Sequence, residues 1–120
     1  MHDNYEKLRG NLVTIASELH RFRGVFVKAI SKLEMEEQSK YISQFQWFAK
    51  RVTRALDDAG LRMVVPDGSL YDPGMAVTPL NLEDFEADDT LYVVQTMEPI
   101  IMCDDAVIKT GTVILGRVEE

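Results

Sequence analysis

One cysteine, Cys103, is the only thiol in the chain. It has no partner for an internal disulfide, so nothing points to an oxidising compartment. The two histidines, His2 and His20, are far apart in the sequence, and the Cys/His clusters that hold structural metals are missing. No apolar run approaches the roughly 20 residues that span a bilayer. The opening segment, MHDNYEKLRG, has no apolar signal core. Positive charge is scarce: 13 Lys and Arg against 20 Asp and Glu leave a net charge of −7. Phosphate binding needs a basic footprint, so free nucleic acid is a poor partner, and anionic membrane is disfavoured for the same reason. No G-x-x-x-x-G-K-[ST] loop or G-x-G-x-x-G turn is present. The expectation is a cytoplasmic protein with no cofactor, no metal and no membrane or nucleic-acid partner.

Proline is also absent from the first half. All four prolines (Pro66, Pro73, Pro79, Pro99) lie beyond Gly60, which leaves the earlier residues free to form long helices. Tyr5, Leu12, Leu19, Phe26 and Leu33 recur every seven residues, and Leu8, Ile15, Phe22 and Ala29 form a second series. The alternating spacings of three and four place both series on one helical stripe and suggest a coiled-coil seam. Gly10 and Gly24 lie off the seam. After a polar interval around Glu34, Glu36 and Glu37, a second stripe runs through Tyr41, Phe45, Phe48, Val52 and Ala55, flanked by Ile42 and Leu56. It stops at Gly60, a good helix terminator. The pattern predicts helices over about 4–34 and 38–59, as a hairpin or as one long bent helix.

Past Gly60 the texture becomes that of short strands. Apolar runs at 61–65, 91–94, 106–108 and 113–118 are separated by turn sequences such as Pro66-Asp67-Gly68 and Thr110-Gly111-Thr112. With no helix-length crossover between them, the sheet is expected to be antiparallel. The fold class expected is therefore α+β, with a helical region over 1–59 and a small β domain over 60–120. A hairpin cannot bury so long a seam alone. A homodimer forming a four-helix bundle would cover it, with Leu12, Ile15, Leu19, Phe22, Phe26, Leu33, Phe45 and Phe48 at the dimerisation surface.

Nothing in the chain spells out a reaction. Glu83-Asp84-Phe85-Glu86-Ala87-Asp88-Asp89 is rich in carboxylates but lacks calcium-loop spacing, and reads as a solvated acidic loop. Cys103 reads as a half-buried thiol. An enzyme built on Asp72, Asp104 or Asp105 would rest on loose carboxylates alone. A binding or regulatory protein is favoured over an enzyme.

Several segments resemble the GrpE family, the nucleotide exchange factors of DnaK-type chaperones. Ala55-Leu56-Asp57-Asp58-Ala59-Gly60-Leu61 is similar to its helix end. Pro66-Asp67-Gly68-Ser69-Leu70-Tyr71-Asp72-Pro73 looks like the family's Gly-x-x-Phe-Asp-Pro turn, with Tyr for Phe. Val107-Ile108-Lys109-Thr110-Gly111-Thr112-Val113 looks like its closing strand pair, and Phe26-Val27-Lys28-Ala29-Ile30-Ser31-Lys32-Leu33-Glu34 like the end of its long helix. The resemblance covers roughly 20–118. The chain departs from the family at Gly74-Met75-Ala76-Val77, where a His is usual, and at Glu98-Pro99-Ile100-Ile101, where a Lys-Gly-Tyr turn is usual. It resembles a divergent or shortened member.

The resemblance implies a dimer whose β domain, as a wing, holds open the nucleotide-binding domain of a DnaK-type chaperone. Met97, Pro99, Ile100 and Ile101 fall where the partner-facing turn would be. Ile100 and Ile101 fit the start of a core strand equally well. Lys109 would pair with a chaperone carboxylate or serve as an ordinary strand charge. Arg21 and Arg23, on the first helix, are basic residues of the kind the family sets against its chaperone, or else solvated positions. Gly68, Asp72 and Pro73 would set the turn that aims the wing. A dimeric interaction protein without exchange activity is the alternative on the same scaffold.

Overall fold

The computed structural model describes residues 2–119. Helix α1 (His2–Ile30) and helix α2 (Met35–Asp58) come first, separated by a break at 31–34. Phe26 stacks on Phe45 with ring centroids 5.2 Å apart, and Phe22 lies 6.5 Å from the same ring. In one continuous helix Phe26 and Phe45 would stand roughly 28 Å apart. The helices therefore fold back on each other as a hairpin. The break comes earlier than the heptad pattern implied, because Leu33 continues the repeat on paper although α1 ends at Ile30.

No proline or glycine makes this break. Gln38 holds it instead: its side-chain Nε2 donates to the carbonyl of Leu33 at 2.7 Å and to that of Ser31 at 3.3 Å. Those oxygens have no helical donor where α1 stops. Glu36 and Glu37 occupy the first turn of α2, where negative charge suits the helix dipole. At the other end Gly60 takes φ +79°, the left-handed geometry that glycine adopts without steric cost.

The chain divides into two compact regions, Met1–Arg62 and Met63–Glu120, the division falling within strand β1 (Leu61–Val64). Beyond it come β2 (Val77–Pro79), a short 3-10 turn (Leu82–Asp84), β3 (Leu91–Glu98), β4 (Ile100–Cys103), β5 (Ala106–Lys109) and β6 (Gly111–Arg117). They form two three-stranded sheets, ordered β1-β4-β5 and β2-β6-β3. The molecule is α+β, as the sequence implied.

β3 pairs antiparallel with β6, and β4 with β5. β2 departs from the antiparallel expectation by pairing parallel with β6, with Val77 opposite Gly111 and Pro79 opposite Val113. A parallel return needs a long crossover, and here β3, β4 and β5 supply its length in place of a helix. Asn81 extends this pairing: its Nδ2 donates to the Leu115 carbonyl and its Oδ1 accepts from the Leu115 N–H, both at 2.9 Å. The core of the second sheet is Leu91, Val93, Val113 and Leu115, with Tyr71, Met75, Val77 and Phe85 packed against it. Inward residues alternate along β6, as a half-buried strand requires.

Candidate interaction site

The predicted seam of the hairpin splits into two flanks. Leu19 is buried, and Leu12, Phe26 and Phe45 are half-buried; Ala16 and Ile30, which the heptad reading did not select, are buried too. In α2 the covered face runs through Ile42, Phe45, Ala49, Val52 and Leu56, at alternating spacings of three and four. The neighbouring flank is left open. Leu8 is 65% exposed, Ile15 and Phe22 51% each, and Phe48 50%. Phe22 and Phe48 both lean on Phe45, at centroid distances of 6.5 and 6.2 Å, so the two helices share one apolar edge. Leu33 lies in the break and is also exposed. Of the eight residues expected at a dimer surface, Ile15, Phe22, Leu33 and Phe48 are the most available. Leu12, Leu19, Phe26 and Phe45 are largely used within the chain.

Arg21 is bonded to Glu18 at 2.8 Å in an exposed pair one turn apart, the kind that contributes little. Arg23 is exposed and faces a groove along α2.

In the β region the expected partner-facing run divides at residue 98. Met97 is 43% exposed and remains available. Pro99, Ile100 and Ile101 are buried, which corrects their place at an exposed partner-facing turn; Ile100 and Ile101 open β4 as core residues, the other reading of that pair, and Pro99 directly precedes the strand. The two adjacent isoleucines were the sequence signal for this.

Lys109 donates to Glu98 Oε2 at 3.3 Å, while Thr112 donates to Glu98 Oε1 at 2.9 Å. The Thr112 hydroxyl, then the Lys109 ammonium, holds the Glu98 carboxyl below its ordinary range. Lys109 thus already serves a carboxylate of its own chain.

The turn residues form a stitched loop. Gly68 has φ +83°, and its N–H donates to the Val93 carbonyl at 2.8 Å. The Val93 N–H donates to Ser69 at 2.9 Å and the Tyr71 N–H to Leu91 at 2.8 Å, which lays this segment along β3. Asp72 Oδ1 accepts from the Gly74 N–H at 2.9 Å, closing an Asx turn over Pro73. Thr96, buried on β3, donates to Asp67 at 2.5 Å and ties the start of the loop down.

A second apolar surface was not anticipated. Tyr92, Val94 and Ile114 lie on the sheet face opposite the core, with Leu70 bridged to Tyr92 at its edge. Gly116 lies beneath them: a methyl there would meet Val94 Cγ2 at 2.7 Å and the Tyr92 ring at 3.1 Å. Leu70 is 65% exposed and Val94 48%. Its signal was Tyr92, Val94 and Ile114 at outward places of β3 and β6, where a solvated face alternates to polar as it does at Gln95 and Thr112.

Cys103 is partly buried. Among the described residues no three His, Cys, Asp or Glu side chains converge as a metal site, and no helix is long and apolar enough to cross a membrane. The His2 side chain lies outside the described residues. No known protein family, curated protein or solved structure matches the chain.

Proposed function

We propose that the chain works as a GrpE-like homodimeric co-chaperone, a protein that acts by binding rather than by covalent chemistry. In this reading two hairpins pair through Leu8, Ile15, Phe22 and Phe48 into a four-helix bundle. The β region of one copy binds the nucleotide-binding domain of a DnaK-type chaperone. Preferential binding to the open form of the cleft shifts the population toward ADP release. Tighter binding to one form is sufficient; no group on the chain needs to react.

The observation that carries the reading is the open apolar edge of the hairpin, with Phe22 and Phe48 half in water and each packed on Phe45. A lone hairpin gains nothing from that edge, and a second copy covers it. The order of elements and the Leu70-Tyr71-Asp72-Pro73 loop, hydrogen-bonded to β3 through Gly68, Ser69 and Tyr71, support the link to exchange factors. Met97 supplies an adaptable apolar contact.

The test is ADP release from a DnaK-type chaperone of the same organism, loaded with labelled ADP and chased with ATP. Added protein should accelerate release, and Met97→Ala should reduce the acceleration several-fold. An unchanged rate at saturating protein rejects exchange.

A second reading is favoured by one observation. Pro99, Ile100 and Ile101 are buried and Lys109 is paired with Glu98, so four expected contact residues are committed within the chain. A dimeric adaptor without exchange activity accounts for that as well. It predicts binding to a partner with no change in ADP release.

A further inference from the structure

Charge is segregated along the chain. Residues 1–62 hold 11 Lys and Arg and 8 Asp and Glu, whereas residues 63–120 hold 2 and 12. Residues 19–33 carry Arg21, Arg23, Lys28 and Lys32, and residues 38–56 carry Lys40, Lys50, Arg51 and Arg54, with no Asp or Glu in either stretch. An acidic protein thus contains a cationic hairpin.

Four of those cations converge. A groove of about 1180 Å³ along α2 is lined by Arg23, Lys50, Arg51 and Arg54 together with Trp47 and Phe45. None of the four cations is ion-paired among the described residues. Trp47 is 64% exposed, and the Arg51 guanidinium sits over its ring, 4.9 Å from the centroid. The stack holds a large apolar plane and a fixed cation side by side at the surface. Asp57 and Asp58, the last residues of α2, also line the groove.

We propose that this groove docks a short acidic segment of another protein. Arginine presents paired donors that match a carboxylate, and exposed tryptophan is a frequent anchor of binding surfaces. The cations are of one sign and unspent, which is the complement of clustered Asp and Glu. A nucleic acid or an anionic membrane fits less well. Either is a long anion that would run the length of the groove onto Asp57 and Asp58, and the chain's net charge of −7 opposes it. A short peptide stops before them. The inference does not depend on chaperone exchange.

Trp47 is the only tryptophan in the chain, so its emission reports on the groove directly. The full chain is titrated with a short poly-glutamate peptide at low salt. The expected result is a saturable emission change that weakens as salt rises. Arg51→Glu combined with Arg54→Glu should weaken binding about tenfold or more, while Lys7→Glu, outside the groove, should not. Circular dichroism checks that the double variant keeps its helices; if it does not, Lys50→Glu takes its place. No emission change, or equal affinity in the charge-reversed variant, overturns the proposal. So does tighter binding of a single-stranded oligonucleotide or of anionic vesicles. Salt-sensitive self-assembly abolished by the same charge reversals would assign the groove to a second copy, and would overturn it as well.

Discussion

Glu98 shows how much a single surface residue can be committed. Its two oxygens accept from Thr112 and Lys109 at 2.9 and 3.3 Å, bracing β3 against the β5–β6 turn. Both partners favour the charged carboxylate, so the folded pKa lies below the ordinary value of 4.5. The sign follows from linkage. The bonds stabilise the fold fully above the ordinary value, and that stability is lost as pH falls through the lowered one. The side chain is 52% exposed, so screening limits the effect to within about 1 kcal/mol. Thr112→Val should remove the larger cause while keeping the strand side chain in shape. Urea midpoints measured between neutral pH and the acid side of the carboxylate range should then fall less steeply than in the wild type. An unchanged slope would show that the Thr112 hydroxyl is not what lowers the Glu98 pKa.

At the scale of elements, the helices were legible and their mutual packing was only half so. Apolar residues at spacings of three and four mark a helix whatever it packs on, and both helices follow from them. The same spacings do not say which flank meets its own partner helix and which is left over. Ala16 settles that in the structure: a small buried residue beside Leu19 widens the inward face toward Ile30. Alanine carries too weak a hydrophobic signal to reveal this from sequence. The break between helices was hidden for another reason, since Gln38 makes it with a side-chain amide that looks like any solvated glutamine. In the β region the runs at 61–65, 91–94, 106–108 and 113–118 correspond to β1, β3, β5 and β6, but β2 was not read as a strand, because three residues paired parallel over 34 positions leave no local trace. The outward patch of Tyr92, Val94 and Ile114 is similarly assembled from separate strands. Within the hairpin, Phe45 makes ring contacts with Phe22, Phe26 and Phe48. Phe45→Ala should therefore cost about 2–4 kcal/mol, at the low end for an aromatic truncation because the ring is only half-buried. Phe48→Ala should cost well under half as much in a monomer. Chemical denaturation of the two variants at low concentration checks the contrast.

The whole molecule joins a region that has unspent apolar surface to one that has most of the acids. Burial of a fully exposed Phe or Ile is worth roughly 1.5–3 kcal/mol, and Ile15, Phe22 and Phe48 each have about half of that still to gain. Each therefore contributes on the order of 1 kcal/mol per copy to a pairing that covers it. A two-fold contact uses every such residue twice. One substitution should then weaken a homodimer by roughly 2 kcal/mol, a factor of about 30 in affinity. Phe22→Ser is the informative change, because its ring is half in water already and its loss should cost the single chain little. Sedimentation equilibrium should find the wild type dimeric and Phe22→Ser shifted toward monomer, with helical content preserved. The acidic balance of residues 63–120 works against close approach of two β regions, so added salt should strengthen the dimer if the helices alone pair. A dimer that dissociates as salt is added would place the contact on opposite charges instead, and a chain that stays monomeric at high concentration would leave the open edge of Phe22 and Phe48 for a different protein.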